Sequence, residues 1–189
     1  FSRKTLEICA EEMTTNLLEF DSKVPYIADR ECETIIRKFP NFEEYLKLPE
    51  YVRNRLVLEN CEKNFSIQDC LDISERVGVP VVLDNHHFFC YNIIHKEEPL
   101  RFPIDHYIPA VLETWKKRGI RPKFHLSEQG AGKTGHHSDY ISAIPDYYLE
   151  IPSKYNINID IMIEAKMKEQ AILQLYNLHQ AHFKSYQTK

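Results

Sequence analysis

Pro80-Val81-Val82-Leu83-Asp84-Asn85-His86-His87 is the stretch on which the fold turns. A short aliphatic run opened by proline and closed by polar residues reads as a strand buried on both faces, the environment of a parallel sheet under helices. Its last residues are an acid and imidazoles. The pattern recurs upstream in Leu56-Val57-Leu58-Glu59, and downstream in Pro122-Lys123-Phe124-His125 and Ile159-Asp160-Ile161-Met162-Ile163-Glu164. In α/β architectures the carboxyl ends of the strands form the active face, so such groups converge in space while lying far apart in the chain.

Between these runs the spacing turns helical. Residues 66–77 place Ile67, Cys70, Leu71, Ile73 and Val77 on one face, with Ser66 as N-cap and Gly78 as the stop. Residues 105–117 carry Tyr107, Ile108, Val111, Leu112 and Trp115 on one face and end in basic residues before Gly119. Further helices are expected at 139–149, broken or kinked by Pro145, and at 168–179. Strand and helix alternating with short turns imply a parallel sheet. The first 50 residues differ: 5–20 and 31–45 read as helices, with a proline-interrupted run at 23–27 between them. The expectation is a single domain over 1–189, mostly helical across 1–50.

With 189 residues, the chain is short for a complete eight-fold α/β barrel, which takes about 250. A net charge of −4 gives no general attraction for nucleic acid, so any such binding needs a local patch or bound cations. The scattered Cys9, Cys32, Cys61, Cys70 and Cys90 form no CxxC pair, which argues for reduced thiols and an intracellular setting. No apolar stretch approaches the roughly 18 residues of a spanning helix, and the first residues lead into a helical pattern containing acids, unlike a signal peptide. The expectation is a soluble protein with no membrane partner.

A lone acid after a strand is ordinarily a turn or cap residue. Asp84 and the histidines just beyond it are more telling, since a carboxylate and an imidazole there can share one Zn, Mn or Fe ion. Lys123 and His125 alternate by two and so point to the same side of a strand, where a lysine facing a barrel interior is costly unless paired or chemically altered. His136 and His137 follow a mobile-looking loop. Taken together, strand ends and loop point to a multinuclear metal hydrolase. Residues 127–134 nearly match the phosphate loop GxxxxGK[ST], but Ser127 stands where the first glycine belongs and no helix pattern follows Thr134. Nucleotide hydrolysis is therefore not the reading.

At these residues the chain resembles the ultraviolet-damage DNA endonucleases, metal-dependent repair enzymes of the TIM-barrel class. The stretch from Pro49 to Asn60 is similar to the segment leading into that family's LEN motif. Val82-Leu83-Asp84-Asn85-His86-His87, Pro122 to Ser127, His137-Ser138-Asp139-Tyr140 and Ile161 to Lys166 resemble its later blocks, in the family's order, over roughly residues 31 to 180. The endonuclease IV group, with a three-metal site, is a more distant relative of the same chemistry. The resemblance implies that Glu59, Asp84, His87, His125, His137 and Glu164 are metal ligands, His87 rather than His86 because the family's aspartate and histidine lie three apart. It implies catalytic roles for Glu59, Lys123 and Glu164, with Lys123 able to carry a carbamate, and a phosphate contact for Lys166. The implied cofactor is Mn²⁺, with Zn²⁺ or Mg²⁺ as alternatives. The implied partner is damaged double-stranded DNA, nicked 5′ to ultraviolet photoproducts or abasic sites to leave a 3′ hydroxyl.

The family's N-terminal half carries further metal histidines and a Gln-Tyr lesion probe, whereas residues before Arg55 contain no histidine. The expected fold is thus a TIM-barrel-like (β/α)n unit, incomplete, comprising the C-terminal four strands plus N-terminal helices. Such a half barrel leaves sheet edges to be met by self-association or by a missing N-terminal half. A non-catalytic metal- or DNA-binding fragment or remnant is the alternative function. A sugar isomerase of the same barrel class shares strand-end ligands but has no motif support.

Overall fold

The computed structural model describes residues 43–179; the readings at 5–20 and 23–27, and most of 31–45, lie outside them. Two short helices, α1 (Glu43–Lys47) and α2 (Glu50–Arg53), lead into β1 (Leu58–Glu59). The chain continues through α3 (Ile67–Val77), β2 (Val81–Asp84), α4 (Asn85–Ile94), α5 (Ile104–Lys116) and β3 (Lys123–Ser127). It then forms α6 (Asp146–Leu149), α7 (Ile151–Tyr155), β4 (Asp160–Glu164) and α8 (Glu169–Leu178). The strands make a 4-stranded sheet in the order β1-β2-β3-β4 with every pairing parallel, the α/β arrangement expected from the apolar runs. Parallel neighbours need a crossover, and helix fills each one.

Register decides which side chains share a face. Leu83 pairs with Phe124 and Asp84 with His125, while Phe124 pairs with Ile161 and Ser127 with Glu164. Because side chains alternate along a strand, Leu58, Val81, Leu83, Phe124 and Leu126 stand on one face and Glu59, Asp84, His125, Ser127 and Glu164 on the other. The first set joins Ile67, Ile108, Val111 and Trp115 in the hydrophobic core, with α3 and α5 packed on each other and on β2. The head of β2 is sealed by α5. The Trp115 indole N–H donates to the Val81 carbonyl at 2.7 Å, and the Thr114 hydroxyl accepts the Val81 N–H at 3.0 Å. Both backbone groups of the buried Val81 are thereby paired.

Local chemistry explains α3 fully. Ser66 and Asp69 form a reciprocal capping box, and Gly78 closes the helix at φ 74°, a left-handed conformation that suits glycine. One stretch carried no expectation and one expectation needs correction. No element was assigned between β2 and residue 105, and there α4 starts at once, with Asp84 as its N-cap. Its sequence, NHHFFCYNII, has no clean polar face, because Asn85, His86, His87, Phe88 and Cys90 are all buried, so helical periodicity gives no signal. The helix expected at 139–149 is confined to α6: Pro145 precedes it as N-cap and starts the helix instead of kinking it. None of the helices among the described residues is long and apolar enough to cross a membrane.

Candidate metal centre

Each parallel strand brings a polar side chain to the same face of the sheet. Glu59 ends β1, Asp84 ends β2, His125 lies within β3 and Glu164 ends β4. Ligand atoms of Glu59, Asp84 and His125 all lie within 4.8 Å of one another, and all these residues are buried. His125 Nδ1 is 2.8 Å from Glu59 Oε1 and 3.0 Å from Glu164 Oε1, so the imidazole links the first strand to the last.

The remaining expected ligands stand beside this group. His87, in the first turn of α4, has Nδ1 2.9 Å from the Asn60 carbonyl and 3.6 Å from Glu59 Oε1. A carbonyl only accepts, so Nδ1 carries the proton in that bond. His137 Nε2 lies 3.7 Å from Glu164 Oε2, and its ring centroid is 6.2 Å from that of His87. His137 arrives on a loop folded back as a hairpin: Gln129 and His137 form an antiparallel bridge, and the Gln129 amide donates to the Gly130 and Lys133 carbonyls. Gly130 is required there, since a Cβ would sit 2.1 Å from the His137 carbonyl oxygen. This fold-back also removes the helix that a phosphate loop needs.

Lys123 and Lys166 stand apart from the carboxylate and imidazole group. Lys123 shares the His125 face at the start of β3, where its ammonium pairs with Asp160 Oδ2 at 2.8 Å; of the two ways to hold an inward lysine, the chain shows the paired one. Lys166 is exposed and lies 3.7 Å from Asp139 Oδ1. Sequence reasoning left unassigned Asn60 and Ser127, both fully buried, whose hydrogen bonds grip Asp84. His86 is also buried, against Cys90. Asn60 had a signal, its place directly after the strand-end Glu59; Ser127 had only its alternation with His125.

Electrostatics make the cluster a tight proton-holding group. Burial pushes the Glu59 carboxyl up, with the hydrogen bond and charge of His125 pulling against it. Burial alone would strip the His125 proton, but the hydrogen bonds and charges of Glu164 and Glu59 prevail and raise its pKa to about 10. Burial opposes ionisation of Glu164 too, yet the His125 hydrogen bond and charge hold its carboxyl below the ordinary value. Carboxylate oxygens and imidazole nitrogens without thiolate suit a hard or borderline divalent ion. The donor set fits: the group that His125 holds together by a proton can equally be held by a metal ion, as the buried Glu59, Asp84 and His125 allow.

The family model described as UV-endonuclease UvdE matches residues 31–188. A protein of Acanthamoeba polyphaga mimivirus is 34% identical over 146 residues, covering 76% of this chain and 42% of its own length. A "UV DNA damage endonuclease" of Bacillus cereus strain B4264 is 34% identical over 145 residues, covering 76% of this chain and 43% of its own. The chain thus spans less than half the length of these curated relatives. Among solved structures, "Crystal Structure of SacUVDE" matches with a TM-score of 0.58 at 31% identity, over 82% of this chain and 50% of that one. The parallel sheet is accordingly that of a TIM-barrel-like α/β fold.

Proposed function

The chain belongs to the UV-endonuclease UvdE family, and from that membership we propose that it acts in DNA repair as a metal-dependent endonuclease, nicking damaged duplex DNA by phosphodiester hydrolysis. The observation that carries the reading is the convergence of Glu59, Asp84 and His125 within 4.8 Å at the strand ends, joined by Glu164 through His125. In the proposal Glu59, Asp84, His87, His125, His137 and Glu164 hold divalent ions, with Mn²⁺ as the resident metal. When bound, such ions withdraw charge from the scissile phosphate and acidify a water near neutral pH.

The chain's residues then have distinct tasks. Glu59 and Glu164, which hold the His125 proton in the metal-free protein, would supply the negative charge that keeps the ions in place. The Asn60 carbonyl holds the His87 proton on Nδ1. His125 is fully buried, whereas about a third of the Glu164 and His137 side chains is open to solvent, so the phosphate would approach from their side. Lys166 is assigned a backbone phosphate, and Lys123 a charge-balancing place below the ligands. Cleavage 5′ to a photoproduct or an abasic site, an intracellular setting, and a barrel completed by strands beyond the four described belong to the same proposal. Lesion choice would follow from the lower cost of unstacking an already distorted duplex.

The test is nicking of an ultraviolet-irradiated plasmid with Mn²⁺, against an undamaged control and with Glu164→Gln and His125→Ala alongside. Damage-dependent nicking by the parent chain and its loss in both variants is the expected result. A folded, metal-loaded sample that nicks nothing at any concentration would overturn the catalytic reading.

A further inference from the structure

Asp84 is a ligand candidate whose carboxylate the protein itself grips. Its Oδ1 accepts the His87 backbone N–H at 2.8 Å as the N-cap of α4. From β3, the Ser127 hydroxyl lies 3.1 Å from Asp84 Oδ2 and 3.3 Å from Oδ1. An ionised carboxylate only accepts, so the hydroxyl is the donor, to both oxygens in turn or shared between them. The Ser127 backbone N–H in turn donates to Asn85 Oδ1 at 3.1 Å, which fixes the serine against the first turn of α4. Both Ser127 and Asp84 are fully buried.

The geometry points to Ser127 as a positioning residue for the metal centre: its hydroxyl sets the rotation of the Asp84 carboxylate toward Glu59 and His125, and so sets metal affinity. The inference rests on the proposed reading of the cluster as a metal site. Without the hydroxyl, the His87 N–H still holds Oδ1, but nothing in the serine's place restrains Oδ2, and the carboxylate is free to rotate about that single bond. Ser127 is no candidate nucleophile, because it is sealed from solvent and its hydroxyl is turned to a carboxylate. The residue that spoils the phosphate-loop pattern therefore has a task of its own, which a glycine at that position would remove. Partners that orient metal ligands change metal affinity by about 10- to 100-fold when they are lost.

Mn²⁺ is titrated by calorimetry into the metal-free parent chain, Ser127→Ala and Ser127→Thr, with denaturant melts of each and plasmid nicking at low and saturating Mn²⁺. The alanine variant is expected to bind Mn²⁺ about tenfold or more weakly and to recover nicking as Mn²⁺ is raised. The threonine variant, which keeps the hydroxyl, is expected to restore affinity. Parent-like affinity in the alanine variant overturns the proposal, as does a lowered melt with unchanged affinity, the mark of a merely structural serine. If the threonine methyl prevents folding, the alanine titration still decides. A parent chain that binds no Mn²⁺ would instead sink the metal reading and this inference with it. A parent that binds Mn²⁺ but cuts nothing would leave the affinity comparison intact while the nuclease reading fails.

Discussion

The floor and the rim of the candidate site are built in opposite ways. Its floor is β2 and β3, where Asp84, His125 and Ser127 are fully buried and the strands between them are closed on both faces. Its rim is β4 and the hairpin at 128–138, where every β4 residue is only half-buried and the Glu164 and His137 side chains remain about a third open. The contrast teaches where stability and chemistry are separable. On the floor, ligand residues are also fold residues, so a change there strikes both. At the rim, groups that meet a substrate are held by fewer buried contacts.

His125→Ala should show the largest effect. The imidazolium separates Glu59 from Glu164, and removing one partner of a buried ionic group costs about 3–5 kcal/mol. Denaturant unfolding should register that loss, and Mn²⁺ should no longer raise the midpoint. Glu164→Gln, at the rim, keeps an amide oxygen that can accept from His125 and should cost less, about 1–2 kcal/mol, while abolishing nicking. Equal losses of stability in the two variants would erase the distinction between floor and rim.

The next effect concerns pH. In the metal-free protein the folded pKa of His125, about 10, lies above its ordinary value of 6.5. A raised basic group contributes its full stabilisation below the ordinary pKa and loses it as pH climbs through the folded one. Unfolding free energy measured in chelator should therefore fall from about pH 6.5 to about pH 10. The slope should vanish in His125→Ala. On the acid side Glu59 is shifted up and Glu164 down, so their contributions oppose each other and the alkaline limb is the informative one. A flat alkaline limb in the parent chain would mean that His125 is not the proton-holding centre of the floor.

How much of this was legible in sequence follows the same division. Glu59, Asp84 and Glu164 could be read because each closes an apolar run, and the Ser66 and Gly78 signals of α3 are local chemistry. The grip on Asp84 was not legible, since Asn60 and Ser127 reach it across 24 and 43 residues of chain. The pairing of Lys123 with Asp160 was equally hidden: it depends on the β3 to β4 register, which no local pattern reports. Helix α4 escaped because burial nearly all round its first turns erased the polar face that periodicity needs. Position 139–149 misled in the reverse sense, with apolar spacing that suggested a helix before the proline where the backbone is irregular.

Tyr148→Phe is expected to cost less. The fully buried hydroxyl lies 3.0 Å from the Leu83 carbonyl and 3.2 Å from that of His125, tying the floor strands together from behind. Burial pushes this phenol well up, so it stays a donor at any working pH. Deleting it should reduce stability by about 1–2 kcal/mol without the alkaline slope changing. A loss confined to activity, with an unaltered melt, would move Tyr148 from the floor to the chemistry.

The smallest expected effect on stability is Gly130→Ala, which sharpens the comparison most. An added methyl group would meet the His137 carbonyl oxygen at 2.1 Å, so the hairpin backbone must shift to admit it. That hairpin is held by the Gly130 N–H to the His136 carbonyl and the Ser138 N–H to the Glu128 carbonyl, both outside the core. Opening a local unit of this kind need not draw on global stability, so the melt should change by less than about 1 kcal/mol. Hydrogen exchange should quicken at the hairpin amides and stay unchanged along β2 and β3. Mn²⁺ affinity should fall because His137 is carried out of register with Glu164. If β2 and β3 amides quickened as well, the hairpin would be part of the floor, and the separation of fold from chemistry would lie farther out along the chain than β4.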